Sequence, residues 1–511
     1  MVPVHSMARR GPRSAAGRLG AIAALLSLAA CGSGRESGTP APPAAQSGER
    51  AASQSDGEPP VKVLLVAIDG ATFDVIDPLL AQGKLPNFER LIERGVRAKL
   101  ESQKPILSPA VWTTIATGRN REDHAIKGFL SPRSRRDAPA LVQSIDRKVP
   151  ALWNMLSSAG RSVGVIGWWA TWPAEPVQGF VVSDRVAHGR WQSWTDGTGS
   201  ERSTHPEELQ RELLPLVVDA VRSPPMDEIL ALADFSAEER EAISSADHPL
   251  PFHGPSVLKF GWCEQRTYEN IALHLLARSQ PDLALLLLVA VDPVSHTFWH
   301  YYQPERFGGS VDPDQAARLG RIVPAVYEHD DATLGKLLEL VDERTVVMVV
   351  SDHGFTASGR LPGLTREVDY RSVGLRKVEE FEKPVNIGTS GIHHPDGILV
   401  ACGGPIRRGA VPAGQPSVLD VASTVLALLG LPIGDNMPGR VLEELIEPSY
   451  LARHPIQRIR AWEDRVKPAL AGLPSPSEDH TRTELLRSLG YVGFEGEAPE
   501  APADPPRPRE K

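Results

Sequence analysis

The sequence predicts a doubly wound α/β fold: a mostly parallel central sheet, helices on both faces and one inserted cap region. Three observations point there. Apolar runs rich in β-branched residues and leucine stop at a carboxylate three times: Val61–Ile68 before Asp69, Leu283–Val291 before Asp292, and Arg344–Val350 shortly before Asp352. Continuous runs of this kind mark strands buried on both faces of a parallel sheet. Helical patterns fall between them, the alternation that builds such a sheet. Open α/β sheets carry their chemistry just beyond the carboxyl ends of their strands, so Asp69 and Asp352 are predicted to share one edge although 283 positions separate them.

In chain order, residues 1–31 read as an export signal. Arg9, Arg10, Arg13 and Arg18 form its positive region, and Leu19 to Ala30 is an apolar run shorter than a usual membrane span. Leu28-Ala29-Ala30-Cys31 resembles a bacterial lipobox. That implies a lipid on Cys31, an anchor in a bacterial membrane, and a place facing the periplasm or the cell exterior. The plainer reading is a signal peptide with an incidental cysteine. Residues 32–60, rich in Gly, Ser, Pro, Ala and Gln, cannot bury enough apolar surface to offset ordering and are predicted to be a flexible linker.

The main folded domain is predicted over 61–445. Val61–Ile68 is its first strand, followed by helices over Phe73–Leu80 and Pro86–Arg94 and a short strand over Val96–Leu100. Ser108 to Gly118 reads as a loop entering a helix, with Ser108 as N-cap and Pro109 in the first turn. Leu152–Ala159 is a helix, and Ser162–Gly167 and Gly179–Ser183 are strands. Strands then vanish from about 189 to 262, where Pro206–Leu214 and Ser236–Ser244 are helical; this is the cap. Glu269–Ala277 is a helix, Leu283–Val291 a strand, Ala316–Leu340 one long amphipathic helix, Arg344–Val350 and Gly397–Cys402 strands, and Val418–Leu429 a helix. A C-terminal extension covers 446–494 with a helix and turn at Leu485–Val492, and a disordered tail covers 495–511.

Composition bounds the function. The chain has 511 residues, 41% apolar and 23% charged, with net charge -9; without the four arginines of the signal it is -13. That balance argues against nucleic acid as the main partner, since phosphate backbones need a basic surface. It leaves room for a small anionic substrate, because bound metal reverses the local sign. Cys31, Cys263 and Cys402 form no CxxC pair. Cys263 and Cys402 read as separate buried thiols, with a disulfide between them as the alternative.

Five segments place Asp, His or Ser at strand ends and turns: Asp69; Ser108; Asp292 with His296; Asp352-His353; and Gly391-Ile392-His393-His394-Pro395-Asp396. Carboxylates and imidazoles in this mix suit zinc or similar divalent ions. Each piece alone has a bland reading. Asp69-Gly70 can be a turn, Ser108-Pro109 a cap, and Asp292/His296 an i,i+4 surface pair. His393 and His394 both remain candidates. Glu328-His329-Asp330-Asp331 falls inside the long helix and reads as a solvated face, and Trp168, Trp169 and Trp172 read as packing rather than a stacking platform.

Together these segments resemble the alkaline phosphatase superfamily, and within it the type I phosphodiesterase and nucleotide pyrophosphatase branch. The matching features are the aspartate after the first strand (Asp69), a Ser ten residues before the Gly of Thr117-Gly118, Asp-x-x-x-His at Asp292 and His296, the Asp352-His353 pair, and a later histidine, best matched by His393. The resemblance implies an alkaline phosphatase-like fold holding two divalent ions, zinc first and manganese as the alternative. Asp292, His296 and His393 would hold one. Asp69, Asp352, His353 and Ser108 would hold the other. It also implies hydrolysis of phosphodiester or pyrophosphate bonds in a small phosphorylated substrate, through a covalent phosphoserine at Ser108. The alternatives are a phosphomonoesterase, a phosphonate hydrolase or a phospho-group transferase, and more remotely an anchored binding protein. The sequence departs from the branch at Pro109-Ala110-Val111, where Phe-Pro-Asn is usual, and Ala110 and Trp112 stand where a sulfatase needs Pro and Arg.

Overall fold

The computed structural model describes residues 61–133, 141–188, 202–246, 253–367 and 380–466. The predicted export signal with Cys31, the linker over 32–60, the Leu485–Val492 helix and the predicted tail lie outside the described residues, as do parts of the cap region.

The centre is an eight-stranded sheet. In chain order its strands are β1 (Val63–Ile68), β2 (Val96–Glu101), β3 (Val163–Ile166), β4 (Gly179–Val182), β5 (Thr204–His205), β6 (Leu283–Leu288), β7 (Val346–Val350) and β12 (Asp396–Cys402), arranged β2-β12-β7-β1-β6-β3-β4-β5. The intervening numbers belong to two ribbons, β8 (Gly354–Ala357) with β11 (Gly391–His394), and β9 (Gly363–Glu367) with β10 (Glu380–Ile387), both antiparallel. β1 lies parallel between β6 and β7, with Val66 level with Leu286 and Val349. β12 runs antiparallel to both β7 and β2, and β5 antiparallel to β4, so the sheet is mixed but mostly parallel, as predicted.

Strand side chains alternate between faces, and the two faces make two cores. Leu64, Val66 and Ile68 pack with helices α1 (Phe73–Ala81) and α2 (Pro86–Arg94). Val63, Leu65 and Ala67 pack with α3 (Ser108–Thr117) and α4 (Leu152–Ser158) on the other side. The predicted cap has helices at α5 (Met226–Leu230) and α6 (Ala237–Ser245), the latter capped by Ser236. Its Leu213, Ile229, Phe235 and Ile243 join the first core, so the described part of the insertion is built onto that sheet face.

Further longer helices are α7 (Trp262–Arg278), α8 (Val291–Tyr302), α9 (Pro313–Leu319), α10 (Ile322–Leu338) and α11 (Val418–Leu428). Four of them correct the sequence reading. α7 begins seven residues before Glu269. The strand expected over Leu283–Val291 ends at Leu288, and Val291 already opens α8, so Asp292 is a helical residue. The single helix expected over Ala316–Leu340 is two, α9 and α10, interrupted at Gly320-Arg321, where glycine weakens a helix interior. Glu328-His329-Asp330-Asp331 is not a solvated face. α10 packs against both α2 and α8, Asp330 and Asp331 are buried, and Asp331 caps α2 by accepting from the N–H groups of Asn87 (3.0 Å) and Phe88 (2.7 Å). Cys263 and Cys402 are free, buried thiols.

Candidate active site

β1, β6 and β7 end side by side, and their chemistry follows at once. Asp69 and Asp352 stand one and two residues beyond β1 and β7, and Asp292 occupies the first turn of α8, four residues beyond β6. His296 follows Asp292 by one helical turn on the same face. The β8–β11 ribbon brings His393 back across the site, pairing it with Phe355 two residues after His353. Ser108 is the first residue of α3 rather than its N-cap, a place taken by Leu107. The helix therefore starts one residue earlier than predicted, and Ser108 Oγ turns from its own backbone toward Asp69 Oδ1, 3.3 Å away.

All seven predicted residues meet here. His353 Nε2 lies 3.5 Å from Asp69 Oδ1, 3.5 Å from Asp352 Oδ2 and 3.7 Å from Asp292 Oδ1. Asp292 Oδ1 is 3.5 Å from His296 Nε2 and 3.3 Å from His393 Nε2. Two groups could each hold a metal ion, Asp292/His296/His393 and Asp69/Asp292/His353, with Asp292 common to both. His394 stays outside; its Nδ1 accepts from the Asp396 N–H.

Surrounding groups fix these orientations, an arrangement typical of metal sites. The Trp112 indole N–H donates to Asp69 Oδ2 at 3.1 Å and the Trp169 N–H reaches the same atom at 3.5 Å, which leaves Oδ1 for Ser108 and His353. The Gly70 N–H donates to Asp352 Oδ1, and Oδ2 remains buried with no hydrogen-bond partner among the described residues. Gly70 itself has φ +76°, and a Cβ there would fall 2.5 Å from the Phe355 ring. Phe355 is fully buried and touches all three imidazoles, with centroids 4.8 Å from His296, 5.5 Å from His353 and 5.4 Å from His393. α8 and β11 approach so closely that a Cβ on Gly391 would sit 2.4 Å from Ser295 O. The sequence reading missed Trp112 and Phe355. Only Trp112 carried a local signal, lying one helical turn after Ser108. Trp168, Trp169 and Trp172 are buried as packing residues, yet Trp169 also serves Asp69.

The imidazole contacts of the site call for more protons than two neutral rings carry. His296 Nδ1 faces Gly391 O at 2.9 Å, His393 Nδ1 faces Ile106 O at 3.3 Å, and the two Nε2 atoms face each other at 2.9 Å. Each of these contacts needs one proton, and two neutral imidazoles bring two. A third is opposed by burial, which pushes His296 down to about 4 and His393 well below its ordinary value, the neighbouring His353 charge adding to the effect on His393. A bound cation held by these imidazoles would resolve the conflict, and the donor set of imidazoles and carboxylates suits zinc-like ions.

The carboxylates tell the same story. Burial pushes Asp292 up to about 7, the nearby Asp69 charge adding to it. Burial and the Asp69 charge raise Asp352 well above the carboxylate range. Burial works against charge on Asp69 too, but the facing His353 imidazole and the hydrogen bond from Trp112 carry it below its ordinary value. Burial opposes the His353 charge, and Asp352 and Asp69 overcome it, taking His353 to about 10. Burial thus favours protons on Asp292 and Asp352 while Asp69 keeps its charge beside His353, and bound cations could take the place of those protons.

The parallel-sheet edge thus carries two candidate metal-binding groups among the described residues. The chain belongs to the type I phosphodiesterase / nucleotide pyrophosphatase family, whose family model matches residues 63–367. No curated protein matches it. Among solved structures, phosphonoacetate hydrolase from Sinorhizobium meliloti 1021 with phosphonoformate is 13% identical, covering 73% of this chain and 96% of its own, with a TM-score of 0.43. Human ectonucleotide pyrophosphatase / phosphodiesterase 5 is 15% identical over 75% and 99%, TM-score 0.40. Wild type alkaline phosphatase PafA is 12% identical over 76% and 99%, TM-score 0.46.

Proposed function

We propose that this chain hydrolyses phosphodiester or pyrophosphate bonds in a small phosphorylated substrate, with Ser108 as nucleophile. Asp292, His296 and His393 would hold one divalent ion, and Asp69, Asp352, His353 and Ser108 a second, zinc being the first choice and manganese the alternative. The observation that carries the metal reading is the proton shortfall between His296 and His393. Family membership carries the reaction class. When bound, such ions supply Lewis acidity: they favour an ionised serine and stabilise charge on the substrate's oxygens.

The chain's own residues set up the rest. Asp69 orients the Ser108 hydroxyl through Oδ1, and the Trp112 N–H holds Oδ2 so that Oδ1 keeps its aim. Ser108 opens α3, so the positive end of that ten-residue helix lies where phosphate charge gathers. Ser108 Oγ bonds to phosphorus as the bond to the leaving oxygen breaks. Water then displaces Ser108 Oγ, so one ester bond and one water are consumed and the serine is regenerated. A quenched turnover with a nitrophenyl diester, followed by peptide mass spectrometry, tests this: phosphate is expected on Ser108, and turnover with no labelled Ser108 would remove the covalent route.

We further propose that the mature protein is anchored by a lipid on Cys31, tethered through residues 32–60 and facing the periplasm or cell exterior. The Leu28-Ala29-Ala30-Cys31 pattern behind a positive, apolar leader supports this. Cys31→Ser is expected to release the protein from the membrane fraction.

A further inference from the structure

Asp292 owes its place to a residue from another helix. The chain between β6 and α8 is Val289-Ala290, and Ala290 is the N-cap of α8, with no side chain able to cap it. Gln265, fully buried on α7, supplies what is missing. Its Oε1 accepts from the N–H groups of Val289 (2.9 Å) and Ala290 (3.1 Å). Its Nε2 donates to Glu269 Oε1 (3.0 Å) and Asp330 Oδ1 (2.8 Å). The amide can sit only this way round, because the two N–H groups only donate and ionised Glu269 only accepts.

The clamp is itself held. Glu269 accepts from Arg266 Nη1 at 2.5 Å and its Oε1 lies 2.7 Å from His329 Nε2. Arg266 and His329 line a cavity of about 430 Å³ bounded by α5, α7 and α10, and no residue of the candidate active site lines it. A polar chain therefore runs from that cavity through Glu269 and Gln265 to the turn two residues before Asp292. A buried polar chain of this cost is not needed to end a strand, since an aspartate or serine at 290 would cap α8 locally.

We propose that Gln265 is a positioning residue for Asp292: it pins the β6–α8 turn so that Asp292 Oδ1 stays in reach of His353, His296 and His393 together. This rests on the reading of Asp292 as a metal ligand. Removing the amide frees the turn, lets the first turn of α8 shift, and weakens the metal that Asp292, His296 and His393 would share.

The test is zinc affinity of the full chain, stripped of metal and titrated against a chelating dye, for the wild type, Gln265→Met and Asp331→Ala. Asp331→Ala removes the cap of α2 and serves as a control for lost stability away from the turn. Gln265→Met is expected to lose about ten- to hundredfold in zinc affinity, the usual effect of removing an outer partner of a metal site. Hydrogen exchange at residues 289–292 should quicken in the same variant, while Asp331→Ala binds zinc like the wild type. If Gln265→Met does not fold, Gln265→Asn, one methylene shorter, is expected to show the same loss. Unchanged zinc affinity in the folded Gln265 variant, or an equal loss in Asp331→Ala, overturns the positioning role alone. A wild type that binds no zinc overturns the metal reading and this inference with it.

Discussion

Ser108 Oγ and Asp69 Oδ1, 3.3 Å apart, place a hydroxyl beside the group that carries negative charge most readily in the site. Replacing Ser108 by Ala removes the proposed nucleophile and one proposed metal ligand, with little effect on the fold, since Ser108 opens a helix that is buried along its whole length. Turnover of a diester is expected to fall on the order of 10⁴-fold or more, with melting temperature near that of the wild type. A Ser108→Ala enzyme at full rate would contradict the nucleophile. A second expectation at this scale concerns Asp292. Burial holds its proton on up to about pH 7, and a cation must displace that proton to bind. The sign follows: as pH falls below about 7 the proton competes and metal affinity drops, by up to about tenfold per pH unit for this group, while above about 7 this contribution levels off. Zinc titrations across about pH 5.5 to 8 check it, and a flat profile over that range would count against Asp292 as a ligand.

Among the elements, the β8–β11 ribbon does what the sheet alone cannot: it carries Phe355 and His393 over the strand ends. Phe355→Ala should open a cavity costing about 3–5 kcal/mol. It should also loosen three imidazoles at once, so calorimetry is expected to show a lower melting temperature and dye competition about ten- to hundredfold weaker zinc. Phe355→Leu should fall between the two. Wild-type zinc affinity in Phe355→Ala would mean that the ring only fills space. The strands of this scaffold were legible because a parallel sheet buries both faces, and burial on both faces leaves an unbroken apolar run, as in β1, β6 and β7. The site was legible where carboxylates and imidazoles ended those runs. Partners brought in by tertiary packing left no local trace. Gln265 accepts from the N–H groups of Val289 and Ala290 from 24 and 25 residues away in sequence, so the start of α8 could not be read from its own residues. The buried Asp330 and Asp331 looked like a polar helix face because their burial depends on α2 and α8 covering α10 from two sides.

Taken whole, the molecule concentrates three buried carboxylates and three imidazoles at one sheet edge, in a chain whose net charge is already -9. Without cations this edge is a stability cost: Asp352 Oδ2 and His353 Nε2 are buried without hydrogen-bond partners among the described residues, and each such group forfeits about 1–3 kcal/mol. Two divalent ions would supply the positive charge that the surrounding sequence does not. Metal binding to the folded chain and not to the unfolded one then raises stability by mass action, about 2.7 kcal/mol for each site at a hundredfold excess over its dissociation constant. Chelation is therefore expected to act twice, abolishing hydrolysis and lowering the melting temperature, with zinc or manganese restoring both. The two effects should titrate together, because the ligands that would position the nucleophile are the ones left uncompensated. Calorimetry and diester hydrolysis on the same chelated and reloaded samples provide the comparison. A chelated protein that melts and turns over like the untreated one would place the charge balance of this edge outside metal chemistry altogether.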